Sequence, residues 1–200
     1  MTLSRPILAA ALAALSLSAC GRSDDAGNTA SANASTNAAA GPAAQPTATL
    51  AAVIEGHDDL DTVHDLAGNA GLGDMLAGVG PYTLFAPADS AFEALGDERV
   101  DGLKSAAMRA QAMALLRAHI VPGLITNRDL DAALANAGGR PVQMRTMGGG
   151  TLTFARDGGA IVATSDDGAR ARLVGDESVA TNGAVHPVDA LLLRTEAAER

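Results

Sequence analysis

The stretch Tyr82-Thr83-Leu84-Phe85-Ala86-Pro87-Ala88-Asp89-Ser90-Ala91-Phe92 decides how this chain folds. It reads as a strand passing directly into a helix. Residues 82–85 are aromatic, β-branched or large and apolar, and Gly80-Pro81 supplies a turn before them. On a strand, Thr83 and Phe85 share one face and Leu84 points to the other. Pro87 cannot donate to a ladder and its φ is locked, so it ends the strand. Asp89 or Ser90 is expected to cap the helix that follows. Ser90 and Glu93 stand at capping-box spacing, and Phe92 and Leu95 supply the buried side.

Working outward, the globular part is expected to begin near Leu50. A short helix holds Leu50, Ala51, Val53 and Ile54, and Gly56-His57-Asp58-Asp59 turns the chain. A second helix carries Leu60, Val63, Leu66, Ala67 and Ala70 on one face, with Asp58 or Asp59 as its cap. Gly71 and Gly73 break it, and Asp74-Met75-Leu76 read as another turn. Downstream, Met108, Ala112, Leu115, Leu116 and His119 recur at helical spacing, which predicts one helix over 105–118. Ile120-Val121-Pro122-Gly123 begins an extended segment. Asn127-Arg128-Asp129 caps a further helix running to Asn136, closed by Gly138-Gly139. The last third alternates apolar with polar over 151–155, 160–164 and 169–174. Arg156-Asp157-Gly158-Gly159 and Ser165-Asp166-Asp167-Gly168 between them are hairpin signals. A closing strand is predicted over 188–193. Helices first and antiparallel strands afterwards make an α+β domain.

The N-terminus has the pattern of an export signal. Arg5 is the one charge before position 20, and the apolar run over 7–17 is too short to span a bilayer as a mature helix. The run ends in Leu17-Ser18-Ala19-Cys20, which looks like a bacterial lipobox. Such a motif implies a diacylglyceryl group on the Cys20 thiol, cleavage before it and acylation of the new amine. Gly21 follows, not the aspartate of inner-membrane retention, so the outer membrane is the expected address. The expected organisation is a signal peptide over 1–19, lipidated Cys20 with an Ala/Asn/Ser/Thr tether over 20–48, one domain over 49–195 and a tail over 196–200. The tether composition cannot bury enough surface to offset the entropy of ordering it.

Cys20 is the only cysteine, so the fold is expected to stand without a disulfide. Losing residues 1–19 leaves 13 basic against 23 acidic side chains, a net charge of −10. That balance excludes a basic nucleic-acid stripe and argues against direct attraction to an anionic lipid surface. With no Trp, one Tyr and three Phe, an aromatic platform for sugars or bases is also missing.

Three stretches together resemble the fasciclin (FAS1) family. The first is 82–92, quoted above, with Thr83, Phe85, Ala86, Pro87, Asp89 and Phe92 as the matching residues. The second is His119-Ile120-Val121-Pro122-Gly123. The third is Asn182-Gly183-Ala184-Val185-His186-Pro187-Val188-Asp189. Their order and spacing are similar to the family pattern over roughly 50–193. The resemblance implies a wedge-shaped β-sandwich with helices packed around it, and a role in adhesion. In animal adhesion members a tyrosine precedes the central histidine, and an Asp–apolar pair precedes the Asn-Gly signature. Here Ala118 and Glu177-Ser178 hold those places, so a bacterial, matrix or envelope partner is expected over an integrin.

The residues nominate no catalytic, cofactor or metal site. His119, ending an apolar helical stripe, and His186, in an apolar strand, read as buried neutral imidazoles serving backbone or hydroxyl groups. The His57, Asp58, Asp59, Asp61, His64 and Asp65 cluster reads as a solvated acidic helix start with a weak cation alternative. Neither a Gly-x-Ser-x-Gly elbow nor a phosphate loop is present. The functional expectation is therefore a non-enzymatic envelope lipoprotein, periplasmic or surface-facing, that binds a protein or polysaccharide partner and no nucleic acid. The alternative is a binding protein for a small apolar ligand such as a lipid or pigment, with methionines lining an adaptable surface.

Overall fold

A computed structural model describes residues 45–194, and the expected signal peptide, Cys20 and most of the tether lie outside the described residues. Seven α-helices and eight strands are found there. The helices are α1 (Leu50–Glu55), α2 (Asp61–Ala70), α3 (Gly73–Ala77), α4 (Asp89–Glu93), α5 (Asp97–Lys104), α6 (Arg109–His119) and α7 (Asn127–Asn136), with a 3₁₀ turn at Ala106–Met108. The strands are β1 (Tyr82–Pro87), β2 (Ile120–Pro122), β3 (Val142–Arg145), β4 (Thr151–Asp157), β5 (Ala160–Ser165), β6 (Arg170–Arg172), β7 (Ser178–Ala180) and β8 (Gly183–Val188).

Two four-stranded sheets form, ordered β2-β1-β8-β7 and β3-β4-β5-β6. The first is mixed: β1 runs parallel to β8, while β2 and β7 pair antiparallel to their neighbours. The second is an antiparallel meander. The first sheet is buried on both faces, which accounts for the unbroken burial of Thr83 through Pro87. One face carries Leu84, Ala86, Ile120, Ala180 and Val185 against Leu50, Leu66, Phe92, Leu116 and other side chains of the helices. The opposite face carries Phe85, Val121 and Val188 against Phe154, Leu152 and Ala163 of the second sheet, with Leu130 and Leu134 of α7. Most helices thus cover one face of the sandwich, and α7 joins the inter-sheet core.

Local chemistry explains most of the boundaries. Gly71 closes α2 in the left-handed conformation, φ 72°, where a Cβ is costly. Thr126 caps α7, one residue before the expected Asn127-Arg128-Asp129, and a capping box with Asp129 at the third helical position fixes the first turn.

Several sequence expectations are corrected. Neither Asp89 nor Ser90 caps α4: Ala88 is at the N-cap, with no side-chain bond. Asp58 and Asp59 likewise do not cap α2, where Leu60 stands at the N-cap position. The helix expected over 105–118 is a 3₁₀ turn plus α6: Ser105 is extended (ψ 152°) and precedes the turn, and Met108 (φ −106°, ψ 18°) leaves helical geometry between the turn and α6. Residues 74–76 belong to α3 and do not form a turn. The closing strand is Gly183–Val188, not 188–193. Beyond Val188 the chain leaves the sheet, Leu192 directing its amide to a histidine. α5, β3 and β7 went unforeseen, being short and with little apolar periodicity.

Candidate functional site

Thr83, Phe85 and His186, among the residues singled out from the sequence, come together with the segment from Gly123 to Asn127. Thr83 is fully buried; its hydroxyl donates to the Gly123 carbonyl (2.7 Å) and accepts the Ile125 amide (2.9 Å). His186 sits opposite Phe85 in register and stacks on its ring, centroids 5.2 Å apart. Its Nε2 donates to the Ile125 carbonyl at 2.7 Å. Glu177 completes the arrangement. Its Oε2 accepts the Asn127 amide at 2.6 Å, in the first turn of α7, and lies 4.0 Å from His186 Nε2. Burial lowers the His186 pKa, against opposing effects of the Ile125 carbonyl and Glu177. The imidazole is therefore a neutral clamp on a loop.

His119 is clamped at both nitrogens. The Leu192 amide donates to Nε2 (2.8 Å), which leaves Nδ1 carrying the proton it donates to the Leu115 carbonyl (2.8 Å). Complete burial pushes its pKa down to about 4, with the Leu115 carbonyl and Asp167 pulling weakly upward. His119 thereby ties the end of α6 to the segment after β8.

The third signature is a junction. Asn182 Oδ1 accepts the Leu50 amide (2.8 Å) at the start of α1, and its Nδ2 donates to the carbonyls of Leu76 (2.8 Å) and Gly78 (2.7 Å) at the end of α3. Gly183 lies against β1 so closely that a Cβ there would fall 1.9 Å from the Tyr82 carbonyl oxygen. Asp189 exchanges two bonds with Arg172, binding the second sheet's edge to the end of β8. Asp89 Oδ1 accepts the Thr62 amide at 2.9 Å. Ala86 and Phe92 fill the helix-side core, and Pro87 stands opposite Val188. Pro122 is exposed at the end of β2 opposite Tyr82, and the Gly123 amide bonds the Pro81 carbonyl at 2.8 Å.

The acidic His57–Asp65 cluster does not close on itself. Lys104 pairs with Asp65 at 2.9 Å, and His64 lies 3.9 Å from the same carboxylate. Among the described residues, no three His, Cys, Asp or Glu side chains come together as a metal site. An open cavity of about 460 Å³ lies between α6 and the β3–β4 turn, lined by Ala114, Arg117, Met147, Gly148, Asp166 and Leu193 among others. Sequence reasoning missed this cavity, and it missed Glu177, because their parts come from segments far apart in the chain.

The comparisons agree with this geometry. The family model of the fasciclin domain matches residues 58–194. A Synechocystis protein, sll1483, is 28% identical over 145 residues, covering 72% of this chain and 73% of that one. Among solved structures, a FAS1 domain pair from the insect cell adhesion molecule fasciclin I superposes with a TM-score of 0.65 at 18% identity, over 76% of this chain. The chain spans 53% of that structure, about half its length. With the match covering most of the chain, and with the signature segments forming the interlocks of the fold, this protein belongs to the fasciclin family.

Proposed function

We propose that this protein is a non-enzymatic envelope lipoprotein, anchored through Cys20, whose fasciclin domain mediates adhesion or contact with a protein or matrix partner. The observation that carries the proposal is the use made of the signature residues. His119, His186, Thr83, Asn182 and Asp189 all direct their polar atoms to backbone groups inside the domain. They are structural ties, and recognition then falls to the outer surface of a rigid scaffold. Membership in a family found in adhesion proteins supports the same reading.

The small-apolar-ligand alternative draws less support. Met75, Met108, Met113 and Met147 pack against the helix-side core, and Met144 against the inter-sheet core. Both Arg117 and Asp166 line the 460 Å³ cavity, a mixed-charge wall ill-suited to a pigment or acyl chain.

Protease shaving of intact cells, with lipid labelling of wild type and Cys20→Ala, tests the anchoring. Surface cleavage of a labelled wild-type protein, and no label on the variant, is the expected result. A deletion strain should attach less well to surfaces, and unchanged attachment would count against adhesion. A lipophile found by native mass spectrometry on protein from its own membrane would favour the alternative.

A further inference from the structure

Four segments meet at the end of the first sheet where the chain enters the domain, and none of them carries a charge. They are residues 45–50, 78–82, 122–126 and 180–184, in a chain with 14 basic and 23 acidic residues. Backbone bonds hold them together. The Thr181 amide donates to Ala48 (2.8 Å), Tyr82 to Asn182 (3.1 Å) and Gly123 to Pro81 (2.8 Å), while Asn182 holds the Gly78 carbonyl. This end also presents apolar side chains to solvent. Val79, flanked by Gly78 and Gly80, is 102% exposed, and Leu124 is 48% exposed. Pro81 and Pro122 are exposed between them, and Tyr82 is half-buried. Gly80 allows the Tyr82 ring to lie close, since a Cβ there would fall 2.0 Å from the ring. Two carboxylates border it on one side: Asp129 accepts from the Thr126 amide and hydroxyl, and Glu177 accepts the Asn127 amide. Single exposed apolar residues are ordinary; an uncharged end bearing several is not.

We propose that this end rests on the lipid bilayer to which Cys20 is anchored, with Val79 and Leu124 entering the headgroup–acyl boundary and Tyr82 at the interface. The inference rests on the lipid-anchor reading and deepens it. What favours lipid as the occupant is where the chain enters. Ala48 is bonded into this very end, and only residues 21–48 separate it from Cys20. A segment of that length reaches at most roughly 100 Å, so the bilayer is kept within reach of this end at high effective concentration. A patch too weak to recruit the protein by itself is then sufficient to orient it, and the lack of charge avoids desolvating ions at the interface. The acidic remainder of the domain faces away from the membrane.

The test uses the full mature protein, with the thioester-free thioether at Cys20 verified by mass, in phosphatidylethanolamine/phosphatidylglycerol vesicles. Because lipidation consumes the only native thiol, Val79→Cys places a single environment-sensitive fluorophore at the tip, and full exposure makes the substitution tolerable. Asp59→Cys serves as control, since Asp59 bonds Asp89 beyond the far end of β1, roughly 17 Å along the strand. Nitroxide-bearing lipids are expected to quench the position-79 probe at least threefold more than the position-59 probe, with a blue-shifted emission. Equal quenching at both positions on verified lipoprotein overturns the docking and leaves the anchor standing. Absence of the lipid mass overturns both. Shielding of the position-79 probe from soluble iodide without quenching by nitroxide lipid would overturn it and assign the tip to a contact with a second copy of this chain.

Discussion

Asp89 opens α4 in the sequence but caps α2 in space: its Oδ1 accepts the amide of Thr62 at 2.9 Å, and its own amide donates to the Asp59 carbonyl. The family signature at this position therefore joins the strand–helix corner to a helix formed 27 residues earlier. A carboxylate there also complements the positive end of α2.

Replacing Asp89 by Ala should cost about 1 kcal/mol, the usual worth of a helix cap, and lower Tm by about 3 °C. Asp89→Asn, which retains the accepting oxygen, should lose less. Ser90→Ala should be nearly silent, since Ser90 makes no capping bond. Thermal melts of the three variants check this; an effect at Ser90 as large as at Asp89 would refute the assignment.

Asn182 should be more sensitive. Asn182→Ala leaves the Leu50 amide and two carbonyls without their partner in a site where Asn182 is 6% exposed, a loss of about 3 kcal/mol or more. Asn182→Asp keeps the acceptor for Leu50 but turns an oxygen toward the carbonyls of Leu76 and Gly78, so it should not rescue at pH 7. Urea unfolding followed by far-UV circular dichroism measures both.

Two glycines should respond with opposite sign. Gly183→Ala puts a Cβ into the Tyr82 carbonyl and forces β1 and β8 apart, with a loss above about 3 kcal/mol. Gly68 lies exposed inside α2 with nothing within 4 Å of a new Cβ. There, Gly→Ala should stabilise by about 0.5–1 kcal/mol. Denaturant midpoints decide; a destabilised Gly68→Ala would mean the helix is not as found.

Stability should fall on acidification through a window set by His119. Its folded pKa is about 4 against an ordinary 6.5, so between these values the unfolded chain takes up a proton that the folded domain refuses. The imidazole's contribution is thus full above pH 6.5, and by pH 4 roughly 3 kcal/mol of stability should be lost. His186, lowered for the same reason, acts in the same direction. His119→Gln should be less stable at pH 7 but show a flatter profile between pH 7 and 4. Equal slopes for wild type and variant would remove His119 as the cause.

Much of this architecture was legible because its causes are local. The stripe Ala112, Leu115, Leu116 and His119 needs only helical spacing, and Asp157-Gly158-Gly159 needs only the backbone freedom of its glycines to turn β4 into β5. The burial of His119 and His186 was readable from their apolar neighbours. The short elements α5, β3 and β7 were hidden, since three to eight residues hold too few periods to stand out.

By itself, the sequence determined the α+β composition, the strand–turn–helix corner at 82–92, the buried histidines and the order of the signature segments. Only the tertiary structure decided that β1 pairs in parallel with β8, about a hundred residues away, and that this burial on both faces makes Leu84 and Phe85 members of different cores. It likewise decided that Asp89 serves α2, that Asn182 joins α1 to α3, and that four uncharged segments share one end. Periodicity and turn chemistry act over a few residues, whereas these ties form between groups that meet only once the chain has closed on itself. Which distant donor an exposed-looking Asp or Asn will satisfy is therefore fixed by packing, not by spacing.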